Sequence, residues 1–169
     1  MLKIINSLRV FFEDSYRRVN VREYAKIARI SPPTASKLLA RYRVEGLLLE
    51  EKYRNYIFYY ANRENPVFKD LSRIYWRHVL RELLDFLGKK LTMPAIMLFG
   101  SLAKAEVKPD SDIDLAVFAL QKEIDASEFE RKLGRKVQLF WFKSLKDIKS
   151  KELANNIING YTLKGRVVL

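Results

Sequence analysis

Two short stretches of this chain have residue types and spacing suited to chemistry on a phosphate ester: Gly100-Ser101 and, eleven residues after that serine, Asp112-Ile113-Asp114. A glycine lets the backbone approach a ligand closely. A serine where a helix opens presents its hydroxyl beside first-turn N–H groups that have no partner inside the helix, a fit for phosphate oxygens. Residues two apart on a strand point to one face. Asp112 and Asp114 therefore project together and can hold a hard divalent cation such as Mg2+ through oxygen ligands. Either stretch alone is also ordinary punctuation, a strand end or a polar turn entering a strand. Their joint occurrence on consecutive strands makes them a candidate site.

The elements that must position these residues are legible around them. Ala95 to Phe99 is a short apolar run ending at Gly100, which reads as a buried strand, and Ile113 to Phe118 reads as the next one. Ser127-x-x-Glu130 has the form of a capping box for a short helix reaching Gly134. Arg135 to Phe142 reads as a third strand carrying Gln138. Ser144 or Ser150 opens a C-terminal helix through Leu153, Ile157 and Ile158 to Gly160, and residues 166–169 are expected to add a small edge strand. The sum is a small mixed sheet with helices on one side.

Gly100-Ser101 and Asp112-x-Asp114, inside LFGSLAKAEVKPDSDIDLAVF, resemble the signature of the DNA polymerase beta nucleotidyltransferase superfamily, and most closely its minimal members, over roughly residues 80–169. The resemblance implies that Gly100 and Ser101 bind the phosphates of ATP or another nucleoside triphosphate. It also implies that Asp112 and Asp114 are the catalytic pair, holding Mg2+ that assists attack on the α-phosphate. The sequence departs from the family in two places. Where members usually carry Ala-Arg-Gly this chain has Ala103-Lys104-Ala105, so Lys104 keeps a positive charge for the nucleotide but lacks the planar fork of arginine. Where members offer a third carboxylate on the next strand, this chain places Gln138, a neutral amide that takes no proton and balances no metal charge. In a two-metal displacement one ion activates the nucleophile and the other stabilises the leaving group. Three outcomes stay open: a nucleotide-binding pseudoenzyme, recruitment of Glu106 or Asp110, or a carboxylate from a partner.

The first half of the chain has a different character. Residues 1–90 carry a net charge of +9 and residues 91–169 only +3, out of +12 in all. A basic excess concentrated in one module is the footprint of a nucleic-acid contact. Ile4 to Phe12 reads as a helix with Ile5, Leu8 and Phe12 on one face, and Val21 to Ala28 as a second. Ser31 caps a third, with Pro32 in the first turn where its missing donor costs nothing, continuing from Thr34 to Glu45 and ending at Gly46. Residues 47–52 and 56–60 then form a hairpin about Tyr53-Arg54-Asn55. This order resembles a winged helix-turn-helix domain. The resemblance places Thr34, Ser36, Lys37 and Arg41 on a DNA-reading surface and Lys52 and Arg54 in the wing, where phosphate contacts supply affinity and base contacts specificity. A winged helix used for protein contact is the competing reading. Asn65 caps and Pro66 starts a long amphipathic helix through Val67, Leu71, Ile74, Tyr75, Val79, Leu83 and Leu87 to Gly88, a stripe suited to either domain's core or to a homodimer seam.

The expected architecture is therefore α+β: a winged helix-turn-helix domain over 1–64, a connecting helix over 65–90 and a minimal nucleotidyltransferase domain over 91–169. Composition narrows the rest. The chain has no cysteine and one histidine, which removes disulfides, thiolate zinc sites and histidine clusters; His78 reads as a surface or packing residue. No apolar run approaches a membrane span and the N-terminus lacks a secretion-signal layout, so the expectation is a cytoplasmic protein. The resemblance implies nucleotidyl transfer to a protein or small-molecule acceptor and, since minimal members often pair with a helical HEPN protein in toxin–antitoxin modules, an antitoxin that binds DNA. The alternative is a DNA-binding transcription regulator with a degenerate, nucleotide-sensing nucleotidyltransferase domain.

Overall fold

Helix caps and left-handed turn residues punctuate the first seventy-five residues. The computed structural model describes residues 2–167, and its contacts divide the chain into two compact units, Met1–Tyr75 with Ala105–Pro109, and Trp76–Lys104 with Asp110–Leu169. In the first, α1 (Lys3–Glu13) buries Ile5, Leu8, Phe11 and Phe12. Each such side chain contributes about 1.5–3 kcal/mol of transfer free energy. β1 (Val19–Asn20) leads into α2 (Val21–Ala28), where Asn20 and Glu23 form a capping box. Arg29 closes α2 in the left-handed conformation, and Ser31 caps α3 (Pro32–Val44) by accepting the Thr34 N–H. Gly46, at φ +73°, turns the chain into β2 (Leu48–Tyr53) and β3 (Tyr56–Ala61). The strands lie in the order β1-β3-β2. The sequence reading did not include β1, because two residues are too few to carry a periodicity.

The stretch expected as one connecting helix is two. α4 (Pro66–Val79) begins at an Asn65 side chain that accepts the Phe68 N–H at 3.0 Å. α5 (Arg81–Lys90) follows after Leu80, whose ψ of 0° interrupts the helical run. Leu80 is fully buried. No proline or glycine marks the break, so an apolar spacing alone could not reveal it.

The second unit is built on a four-stranded sheet in the order β6-β5-β4-β7. β4 (Ala95–Phe99) pairs antiparallel with β5 (Ile113–Phe118) and with β7 (Tyr161–Lys164), while β5 pairs parallel with β6 (Val137–Phe142). One cluster of its core gathers Met97, Phe99, Ala116, Phe118 and Ile157. Around the sheet lie α6 (Gly100–Lys104), α7 (Ser127–Leu133) and α8 (Lys151–Ile158). Ser144 and Ser150 both act as caps, the first of a single 3-10 turn at Leu145–Asp147 and the second of α8. The edge strand is Tyr161–Lys164 and not 166–169; Arg166 and Val167 are in no strand, and 168 and 169 lie outside the described residues. The architecture is mixed α+β.

Candidate active site

β4 is buried along its whole length and delivers the chain to Gly100. There φ is +70°, a region where an L side chain is strained. Space matters as well: a Cβ at this position would meet the Asp114 carboxylate, Oδ2 first, and force it to turn away. Phe99 pairs with Asp114 across the antiparallel ladder, so strand register sets the carboxylate against the turn. α6 then runs for five residues. Leu102 and Ala103 are buried, Ser101 is half-buried and Lys104 is exposed. Ala105 ends the helix at φ +58°.

Asp112 stands just before β5 and Asp114 is its second residue; both are half-buried. Burial, and then the negative charge of Asp112, raise the Asp114 carboxyl above its ordinary pKa. Two carboxylates that oppose each other's ionisation are relieved by a cation between them. Gln138 lies beside Asp114 in the parallel β5–β6 register, and its Nε2 donates to Asp112 Oδ2 at 2.5 Å. Gln138 is thus on the same face as the aspartates. Among the described residues no group of three Asp, Glu, His or Cys gathers to hold a metal ion. Glu106 and Asp110, both exposed, do not complete such a group.

The strand carrying Gln138 is held at its entrance. Glu130 accepts the Val137 N–H at 2.8 Å, and Arg135 donates to the carbonyl of Ser111, the residue before Asp112, at 2.7 Å. The capping box expected at Ser127 and Glu130 does not form. Ala126 is the N-cap, the Ser127 N–H is taken by Asp125, and Glu130 is engaged by the strand instead. Lys104 is also held: its Nζ donates to Asn156 Oδ1 on α8 at 2.8 Å. Asn156 was not among the candidate residues. Its only sequence signal is the pair Asn155-Asn156 in the middle of a helix, a place that asparagine disfavours. His78 is exposed.

In the first unit Thr34, Ser36, Lys37 and Arg41 are all exposed on α3. The Thr34 hydroxyl is hydrogen-bonded to that of Ser31, and Arg41 Nε donates to Glu45 at 2.7 Å. Lys37 and Lys52 make no ion pair among the described residues. Arg54 sits at the hairpin turn at φ +53°, with its guanidinium 5.4 Å from the centre of the Tyr53 ring. The acidic residues of β2 are neutralised by neighbours, Glu50 by Arg43 at 3.2 Å and Glu51 by Arg18. The hairpin also exposes apolar surface, with Tyr53 58% and Tyr56 52% accessible.

Among the described residues, no helix is long and apolar enough to cross a membrane. No curated protein and no solved structure matches the chain. The model of the family described as Polymerase beta, Nucleotidyltransferase matches residues 81–166, a span that holds the Gly100 turn, both aspartates, Gln138 and Asn156. With half of its length matched by that family, and with its glycine turn and its aspartate pair meeting on adjacent strands, the chain belongs to the polymerase beta nucleotidyltransferases.

Proposed function

We propose that this chain binds ATP or another nucleoside triphosphate with Mg2+ and transfers the nucleotidyl group to a protein or small-molecule acceptor, under the control of an N-terminal module that binds DNA. The observation that carries the enzymatic part is the packing of Asp114 against the Cα of Gly100: the phosphate turn and the aspartate pair are one site. In the transfer an acceptor hydroxyl loses its proton to water as its oxygen forms a bond to the α-phosphorus, the bond from the α-phosphorus to its bridging oxygen breaks, and pyrophosphate leaves. The residues fit Mg2+. Asp112 and Asp114 offer hard oxygen donors, and together their two charges balance one divalent ion. Bound there, Mg2+ would neutralise phosphate charge and polarise the phosphoryl oxygens. Gly100 admits the phosphates close to the backbone, Ser101 offers a hydroxyl, and Lys104 offers a cation.

The DNA-binding part is supported by element order. Three helices and a three-stranded sheet ending in a hairpin fit a winged helix-turn-helix. Thr34, Ser36, Lys37 and Arg41 then face the duplex, with Lys52 and Arg54 in the wing. The acceptor we place on a separate HEPN-type partner, the chain serving as a cytoplasmic antitoxin, with a homodimer on DNA as its working form.

Gln138 favours a second reading. Its amide donates to Asp112 where a carboxylate would bring a third negative charge. That arrangement suits a nucleotide-sensing domain that regulates a DNA-binding module without transferring anything. Calorimetry with ATP and Mg2+, paired with a transfer assay using α-phosphate-labelled nucleotide, separates the two. Mg2+-dependent binding that disappears in Asp112→Asn/Asp114→Asn, together with transfer of label, supports the enzyme. Binding without transfer in the presence of acceptor supports the sensor, and unchanged affinity in the double variant removes both.

A further inference from the structure

We propose that Asn156 is a further phosphate-binding residue of this site, acting with Lys104 as a clamp on the triphosphate. The inference rests on the reading of Gly100-Ser101 as the phosphate turn.

Lys104 follows Ser101 by three residues and Gly100 by four, so all three lie on one face of α6. Its ammonium donates to the Asn156 side-chain oxygen at 2.8 Å. An ammonium has only donors, so the amide must turn its oxygen toward Lys104. The amide nitrogen is thereby turned away, with its two N–H donors uncommitted among the described residues. Lys104 itself keeps two N–H donors beyond the one that Asn156 accepts. The pair thus presents four donors and a positive charge, which is the chemistry of an oxyanion site.

Asn156 is not a loosely placed surface residue. α8 is anchored by Ile157, which is fully buried among Met97, Phe99 and Ala116. Just past the Asn159 C-cap of α8 comes Gly160. A Cβ on Gly160 would come within 2.5 Å of the Leu98 carbonyl oxygen and 3.3 Å of the Phe99 Cβ. The end of α8 therefore abuts the last two residues of β4, directly before Gly100. Backbone packing fixes where Asn156 stands relative to the turn, and the hydrogen bond to Lys104 fixes which way its amide faces.

The test uses the full chain with Mg2+ and two probes, the non-transferable analogue α,β-methylene-ATP and inorganic tripolyphosphate. Both are titrated calorimetrically into wild type, Asn156→Ala, Asn156→Asp, Lys104→Ala and the double variant Lys104→Ala/Asn156→Ala. We expect Asn156→Ala to weaken both probes about tenfold, the scale of one lost charge-assisted hydrogen bond. Asn156→Asp has the same shape and still accepts from Lys104, but it offers no donor and adds a negative charge; it should weaken binding further. The double variant should lose less than the product of the two single losses. Wild-type affinity in Asn156→Asp overturns the proposal, as do losses that multiply independently. Because the aspartate variant preserves shape, it carries the test if the alanine variant fails to fold. If wild type binds neither probe, the phosphate-turn reading fails and this proposal with it; if wild type binds and the Asn156 variants bind equally well, only the clamp fails.

Discussion

The Asp114 carboxylate lies against the Cα of Gly100, in the space where any other residue would place its Cβ. The glycine therefore leaves the Asp114 carboxylate in place, besides suiting its own backbone angle. Gly100→Ala must strain the turn at φ +70° and displace Asp114. We expect a stability loss of about 1–3 kcal/mol, read by urea unfolding, and loss of Mg2+-dependent nucleotide binding. A variant that binds as well as wild type would mean that the turn and the aspartate act separately.

Asp114 has a pKa raised by burial and by Asp112, and the sign of its effect on stability follows. Between the ordinary carboxylate value of about 4 and the raised folded value, the folded protein holds a proton that the unfolded chain has released. Stability contributed by this group is thus present at low pH and falls as pH rises through that window. Without divalent ions, Asp114→Asn should unfold at higher temperature than wild type at neutral pH, and the gain should vanish near pH 3. Adding Mg2+ should raise the melting temperature of wild type only.

Gln138 stands next to Asp114 in register and bonds to Asp112, so a carboxylate there would join the pair. Gln138→Asp or Gln138→Glu should tighten Mn2+ binding about tenfold, since charge count sets the affinity of such sites, and should admit a second ion, countable by paramagnetic resonance. Unchanged stoichiometry and affinity would place residue 138 outside the ion's reach.

On α3, Arg41 is paired with Glu45 at 2.7 Å, while Lys37 makes no ion pair among the described residues. If this surface grips DNA phosphates, duplex affinity falls steeply with salt because counterions are released. Lys37→Ala and Arg54→Ala should each flatten the log–log salt slope by about one unit. Glu45→Gln should instead strengthen binding by freeing Arg41. Fluorescence anisotropy across a salt series reads all three. No binding at low salt would assign the module to protein contact, for which exposed Tyr53 and Tyr56 are suited.

Several elements of both units were legible because their signals are local. Ala95–Phe99, Ile113–Phe118 and Val21–Ala28 stand where their apolar runs and turn residues end, since burial and capping act over a few neighbouring residues. Asn65, Ser31 and Ser150 cap the helices that follow them for the same reason. Other features had no such signal. The break at Leu80 comes without proline or glycine, the Glu130 side chain serves Val137 and not the start of its own helix, and β1 is two residues long. The sequence alone determined that a glycine turn closes one strand and two aspartates open the next, because apolar runs bounded by turn residues mark strands locally and the spacing of the two stretches joins them. Only the tertiary structure decided that Gln138 reaches Asp112 and that Asn156 receives Lys104. Those partners are 26 and 52 residues apart, and what brings them together is sheet register and helix packing, which arise from the whole core and not from any window of the chain.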